Sequence, residues 1–435
     1  MITYALAAKL FESFSILRWN DRLRPIELLE TDHHALKSML TYFLGKQLET
    51  SGTTVDWRKV VDVNVLDLLS KISTSDIQST VRRALKKEDA FKQLIIRDWN
   101  KPSLKLNDIV RTALNEYVNG GETTSVEYKI LRFSHKYITF REFEIIKASS
   151  SQNDDIKEIE HKLKKELDDA THENFGNDAD DLITEKSQIA KIMEIAGRLR
   201  YQTRWSQTPR IPQTSVLGHS MYCAVLAYFF SIEAELDSDR IVNNFYAALF
   251  HDLPEALSRD IISPVKKADP AISKLIEKEE KRLCEKEIFS KTPETWSSHF
   301  RFITGQMCPK EDKLNDNQLD DEIDKNLQRK EFNEHAEFSN RILKDSGKYL
   351  IVKWGKDNKT PYKEPMDNYK SEAGIDGKLL KVCDNLAAFM EARMSLQHGI
   401  RSPHLDNGLS NALSACQGRK IYNLVVDDFF ESITF

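Results

Sequence analysis

The two halves of this chain repeat one another, and no other feature constrains the fold as much. Arg18-Trp19 in the first half matches Arg204-Trp205 in the second, and a histidine follows each tryptophan by 14 residues, at His33 and His219. An apolar helical pattern accompanies both, HALKSMLTYFLG directly after His33 and HSMYCAVLAYFF from His219. Downstream, VNVLDLLSKISTSDIQSTVRRAL aligns with AALFHDLPEALSRDIISPVKKA, and KILRFSHKYITFREFE aligns without a gap with KLLKVCDNLAAFMEAR. Four blocks in one order imply a single structural unit used twice. The spacing predicts a first unit at 1–149, an acidic stretch at 150–185 that reads as a solvated helix or a linker, and a second unit at 186–435.

The repeat is helical. Its apolar residues recur at helical rather than alternating spacing. Glycine and proline together supply only 27 of the 435 residues, about half of ordinary usage. The fold class expected is therefore all-α, with helices over 187–202, 216–234, 238–251, 255–259, 272–289 and 378–396 of the second half. The two copies differ in one spacing: Leu66 to His135 covers 69 residues where His251 to Asp384 covers 133. About 64 extra residues thus lie between roughly 291 and 377. This charged insert holds one strand-like run, Tyr349 to Trp354, and reads as a surface excursion, a lid or a partner surface.

Charge and cysteine usage narrow the function. A net charge of −5 carries no electrostatic footprint for nucleic acid. Five scattered cysteines with no CxxC pattern argue against a disulfide framework and against a cysteine-based zinc site, so a cytoplasmic location is expected. The longest apolar run, Met221 to Ile232, is too short to span a bilayer, and the apolar N-terminus has no basic leader region. A membrane role is not expected.

The residues with chemical potential lie in the second half. His219, His251, Asp252 and Asp384 form a sparse set of two imidazoles and two carboxylates, a donor mix suited to Mn, Co, Fe, Ni or Zn. The adjacent pair His251 and Asp252 can converge on one ion only if the helix ends there, and Pro254 supplies that end. Each residue also has a plainer reading. A histidine on an apolar helix is most often a satisfied core residue, and Asp252-x-x-Glu255 before an apolar run reads as a helix-capping pair.

With their flanks, these residues resemble a known family. RW…SVLGHS, ALFHDLPEALSRDIISPVKK and VCDNLAAF look like the HD-domain metal-dependent phosphohydrolases, and more narrowly their bacterial 5′-deoxynucleotidase branch. One departure is Gly218, where that pattern has a glutamate. The resemblance implies that His219, His251, Asp252 and Asp384 hold one divalent cation, with Asp252 and Glu255 in the catalytic machinery. It also implies that Arg204 grips phosphate, that Trp205 packs on the sugar against a 2′-hydroxyl, and that Asp260 binds the 3′-hydroxyl. Glu255 would serve proton transfer, and Lys266 would add positive potential. As plainer alternatives, Trp205 is a buried anchor, Asp260 a helix cap and Lys266 a solvated lysine.

The implied reaction is metal-assisted hydrolysis of nucleoside 5′-monophosphates, preferably deoxyribonucleotides. Alternatives are a nucleoside triphosphohydrolase or another phosphodiesterase of the superfamily, although no GYP motif accompanies the His251-Asp252 pair. A non-catalytic nucleotide-sensing scaffold is a third. The first half shows only a decayed echo: His33, Leu66, Asp67 and His135 occupy the aligned positions, and Ser70 roughly replaces Glu255. Leucine cannot ligate a metal, so this copy is expected to be structural, or to bind a nucleotide without turning it over. Because single-copy relatives pair as homodimers, the resemblance implies that the two copies form an internal pseudo-dimer.

Overall fold

The computed structural model describes residues 2–120, 124–149, 154–175, 187–259, 269–305, 342–345, 348–354, 361–365 and 374–433. The chain divides into two compact units, Met1–Ala190 with Val425–Phe435, and Lys191–Leu424. Both are mostly helical, as the periodicity predicts.

The first unit begins with α1 (Tyr4–Phe11), capped by the Thr3 hydroxyl accepting from the Leu6 N–H. A short antiparallel pair follows, β1 (Leu17–Arg18) and β2 (Leu28–Leu29). Then come α2 (Glu30–Thr50), α3 (Trp57–Thr74), α4 (Ser79–Leu85), α5 (Asp89–Trp99), α6 (Asp108–Val118) and α7 (Val126–Ser149). Helix α2 packs on both α3 and α7 and is buried continuously from Glu30 to Gly45. Its buried face therefore carries Glu30, Asp32, His33, His34 and Lys37 beside apolar residues, and these charges need partners inside the unit.

Of the two readings of the acidic stretch, the helix is what forms over α8 (Asp154–Phe175). It packs along α7, where Lys136 Nζ donates to the Glu166 carbonyl at 2.9 Å and Lys147 pairs with Glu160 at 2.7 Å. Its few apolar residues, such as Ile156 and Ala170, are buried there, and the charged remainder faces water. The C-terminal residues return to the same unit, where the Tyr4 N–H donates to Ser432 Oγ at 2.8 Å.

Helix α9 (Gln188–Gly197) leads into the second unit, and a 3₁₀ turn, Arg198–Tyr201, follows it. At the centre lies α10 (Val216–Glu233), apolar on every face and buried from Val216 to Ile232. It is long and apolar enough to cross a membrane, yet 94% of it is buried inside the protein, which marks it as a core helix. Packed on it are α11 (Ser238–Phe250) and α15 (Gly377–Gln397). Between these come α12 (Glu255–Ser258), α13 (Pro270–Glu287) and α14 (Glu294–Thr304), and α16 (Pro403–Cys416) follows α15. Within the insert, the strand-like run falls in β4 (Lys348–Trp354), the middle strand of an antiparallel sheet with β3 (Ile342–Asp345) and β5 (Pro361–Pro365).

Candidate metal centre

Helix α11 stops at Phe250, and His251 is its C-cap residue. The chain turns through Asp252–Pro254 before α12 begins, so the HD pair sits at a helix end, as Pro254 predicts. The break lets two adjacent side chains face one point: His251 Nε2 lies 3.0 Å from Asp252 Oδ1. The capping reading of Asp252 does not hold. The cap residue of α12 is Pro254, with no side-chain cap bond, and the Asp252 carboxylate turns to His251 instead.

His219 enters from α10 and Asp384 from α15, with Nε2 and Oδ1 3.1 Å apart. The rings of His219 and His251 lie 5.6 Å apart, centre to centre. Ligand atoms of His219, Cys223, His251 and Asp384 all fall within 4.8 Å of one another. Thus three of the four predicted metal ligands converge, and the fourth, Asp252, is bonded to one of them. Asp252 Oδ2 is buried with no hydrogen-bond partner. A buried carboxylate oxygen without a partner, beside two imidazoles and a second carboxylate, is the donor set of a divalent cation.

Charge balance points the same way. Burial and the Arg204 guanidinium both oppose charge on His219, yet Cys223, Glu391 and Asp384 raise its pKa well above the ordinary imidazole value. Burial opposes ionisation of Asp384 too, but Lys381 and His219 hold its carboxyl well below the usual range. Without a metal, a proton on His219 supplies the positive charge that the carboxylates require.

Sequence reasoning missed Glu391. This fully buried carboxylate on α15 lies 3.2 Å from Arg204 Nε and 2.7 Å from Trp205 Nε1, accepting from both. It also accepts from Thr214 Oγ1 at 3.1 Å and lies 3.3 Å from His219 Nδ1. It therefore directs the other nitrogen of His219 toward Asp384 and anchors Arg204 and Trp205 beside the ligands. A signal was present: Glu391 lies seven residues, two helical turns, beyond Asp384 and aligns without a gap with Glu142.

Trp205 stands in the left-handed region, at φ 56°, and is half-buried. Its loop is clamped by a bond from the Arg204 N–H to the Thr214 carbonyl at 2.9 Å and another from the Val216 N–H to the Gln202 carbonyl at 2.9 Å. The ring lies against Gly408 of α16, where a Cβ would fall 2.1 Å from its Cη2 atom. Glu255 opens α12, and its carbonyl accepts from Gln202 Nε2 at 2.8 Å, which ties the helix to the Arg204 loop. Asp260 and Lys266 lie outside the described residues.

The aligned residues of the first unit make matching contacts with different chemistry. Arg18 Nε donates to Glu142 at 2.9 Å, Trp19 Nε1 at 3.3 Å and His33 Nδ1 at 3.2 Å. Trp19 has φ 57°, and the Glu30 N–H donates to the Ile16 carbonyl at 3.0 Å, the counterpart of the Val216 to Gln202 bond. At the ligand positions the resemblance ends. His33 Nε2 lies 2.9 Å from His135 Nδ1. Burial and Arg18 push His33 down to about 3, and burial and His33 push His135 well below its usual value, so both rings are neutral. The lone pair His33 would offer a metal is then taken by the N–H of His135. Leu66 contributes no ligand. The buried ammonium of Lys37 reaches Asp67 at 2.6 Å, supplying positive charge from within the chain.

The family model for the HD domain matches residues 196–413, half of the chain and the whole of this centre. No curated protein and no solved structure matches the chain closely enough to count as a relative.

Proposed function

We propose, from the premise that this chain belongs to the HD-domain family, that its second unit hydrolyses nucleoside 5′-monophosphates, with deoxyribose preferred. Membership suggests a metal-dependent phosphohydrolase in general. The observation that carries the finer reading is Glu391, which fixes a guanidinium, an indole and a ligand histidine on one carboxylate.

The residues fit a divalent cation. His219, His251, Asp252 and Asp384 would hold it. When bound, it supplies Lewis acidity toward a phosphoryl oxygen and lowers the pKa of water. Arg204, whose planar guanidinium is positioned by Glu391, binds the substrate phosphate and neutralises its charge. Trp205 presents an indole face beside that phosphate, held by Glu391 and Gly408, and excludes a 2′-hydroxyl from the sugar position. Glu255 delivers a proton to the departing 5′-oxygen. Asp260 binds the 3′-hydroxyl.

The first unit, in this reading, is a second copy that kept its scaffold and lost its chemistry. Leu66, the His33–His135 hydrogen bond and the Lys37–Asp67 pair support that role. The reading extends to an internal pseudo-dimer of the two copies and to a cytoplasmic enzyme.

The test is phosphate release from a panel of nucleoside mono- and triphosphates by chelated protein reloaded with Mn, Co or Zn. Free phosphate from monophosphates, faster for the deoxy form, is the expected result. Triphosphate release from a nucleoside triphosphate instead would move the enzyme to the triphosphohydrolase class. Binding without turnover of any nucleotide would leave a sensor. His251→Ala and Asp252→Ala should each abolish metal binding and turnover, and full activity in either variant overturns the ligand assignment.

A further inference from the structure

Cys223 has no part in the ligand pattern that the sequence supplies, yet its Sγ falls within 4.8 Å of ligand atoms of His219, His251 and Asp384. It stands one helical turn after His219 on α10 and is 1% exposed. Its Sγ lies 3.4 Å from His219 Nε2, the nitrogen that faces Asp384, and its other polar contact is the Cys383 carbonyl at 4.0 Å. Two donors sharing a tetrahedral ion, with bonds of about 2.3 Å to sulfur and about 2.0 Å to nitrogen, stand about 3.5 Å apart. A nitrogen and a carboxylate oxygen sharing it stand about 3.3 Å apart, so the 3.4 Å and 3.1 Å contacts here are compatible with ligands around one ion.

A second observation is independent of these distances. Lys37 stands four residues after His33, as Cys223 stands four after His219. In the first unit that position sends an ammonium to within 2.6 Å of Asp67, the residue aligned with Asp252. The side chain at this helix position thus enters the matching polar cluster in both units. One unit puts an ammonium there; the other puts a buried thiol, a group able to ligate a cation.

We propose that Cys223 is a thiolate ligand of the metal centre and biases it toward Zn(II), Fe(II) or Co(II) over Mn(II) and Mg(II). The inference rests on the metal-centre reading above. Coordination takes the sulfur as thiolate, its proton leaves to solvent, and a soft donor favours the later, softer ions.

The experiment is titration of the chelated full-length chain with Co(II), followed by absorption. Ligand-field bands in the visible report the centre itself; a sulfur-to-cobalt charge-transfer band in the near ultraviolet reports the thiolate. Wild type should show both. Cys223→Ala and Cys223→Ser should keep the first and lose the second, and Cys383→Ala should keep both. The Zn-over-Mn preference in direct competition should fall severalfold in Cys223→Ala. Ligand-field bands in wild type without charge transfer would make Cys223 a core thiol only and overturn the proposal while leaving the metal centre standing. No cobalt bands of either kind would sink the metal-centre reading and the proposal with it. The wild-type spectrum decides even if both Cys223 variants fail to fold.

Discussion

Glu391→Gln is the substitution that most directly separates scaffold from chemistry. The native carboxylate is fully buried and serves Arg204, Trp205, Thr214 and His219 at 2.7 to 3.3 Å. Arg204 and His219, with Arg210, hold its pKa well below the ordinary value against the opposing effect of burial. The amide keeps the shape, and its oxygen can still accept from Trp205, but the charge is gone. Losing a charge-assisted hydrogen bond costs about 1.5–3 kcal/mol. Removing the group altogether, as in Glu391→Ala, takes the carboxylate from the half-buried Arg204 guanidinium and leaves a cavity as well, so it should cost more than the amide variant. Losing the partner of a ligand histidine weakens metal binding by about 10–100-fold. Glu142→Gln in the first unit breaks the matching contacts to Arg18, Trp19 and His33 at a place where the proposed function puts no metal. Both amide variants should therefore lose comparable stability in chemical denaturation, while only Glu391→Gln should weaken Co(II) or Zn(II) in calorimetric titration. Unchanged metal affinity in a folded Glu391→Gln variant, or an equal loss in Glu142→Gln, would refute the claim that Glu391 acts on the centre through His219.

Three more predictions follow from other contacts. Gly408→Ala should drive the Trp205 ring off α16, since a rigid ring at 2.1 Å cannot yield; a loss of about 1–3 kcal/mol and altered tryptophan fluorescence are expected, and wild-type values for both would contradict the close approach. Lys37→Met should cost about 1.5–3 kcal/mol by removing the charge-assisted bond to Asp67, which keeps the Tyr117 hydroxyl at 2.8 Å, with no change in metal stoichiometry; an added metal equivalent per chain would show that the first unit had only been blocked. His33 titrates at about 3 when folded and near 6.5 when unfolded, so on acidification the unfolded chain takes a proton that the folded unit refuses. Stability should then fall by about 1.4 kcal/mol per pH unit below about 6.5 for this group, and His33→Gln should flatten that slope in denaturation curves between neutral and mildly acidic pH; an unaltered slope would argue against a neutral buried imidazole.

Periodicity was enough to place the helices of the second half, because that signal is local: turn residues end helices, and α11 ends just before Pro254. The candidate ligands His219, His251, Asp252 and Asp384 came from the ordered motifs and flanks that resemble the HD-domain family. The strand at Lys348–Trp354 and the shared Arg-Trp loops were legible from local signals as well. Glu391 and Cys223 were not, although both stood in aligned blocks. A glutamate on a long helix reads as solvated, and a cysteine in an apolar run reads as core. Packing α15 on α10 puts Glu391 beside His219; the helical turn brings Cys223 within 3.4 Å of His219, but only the fold brings His251 and Asp384 to the same place. Likewise the sequence shows Lys37 and Asp67 as two charges thirty residues apart, and the tertiary structure buries the ammonium and pairs it with Asp67. A side chain's type and its position along a helix are encoded locally, but its charge state and its partners depend on which elements exclude water around it.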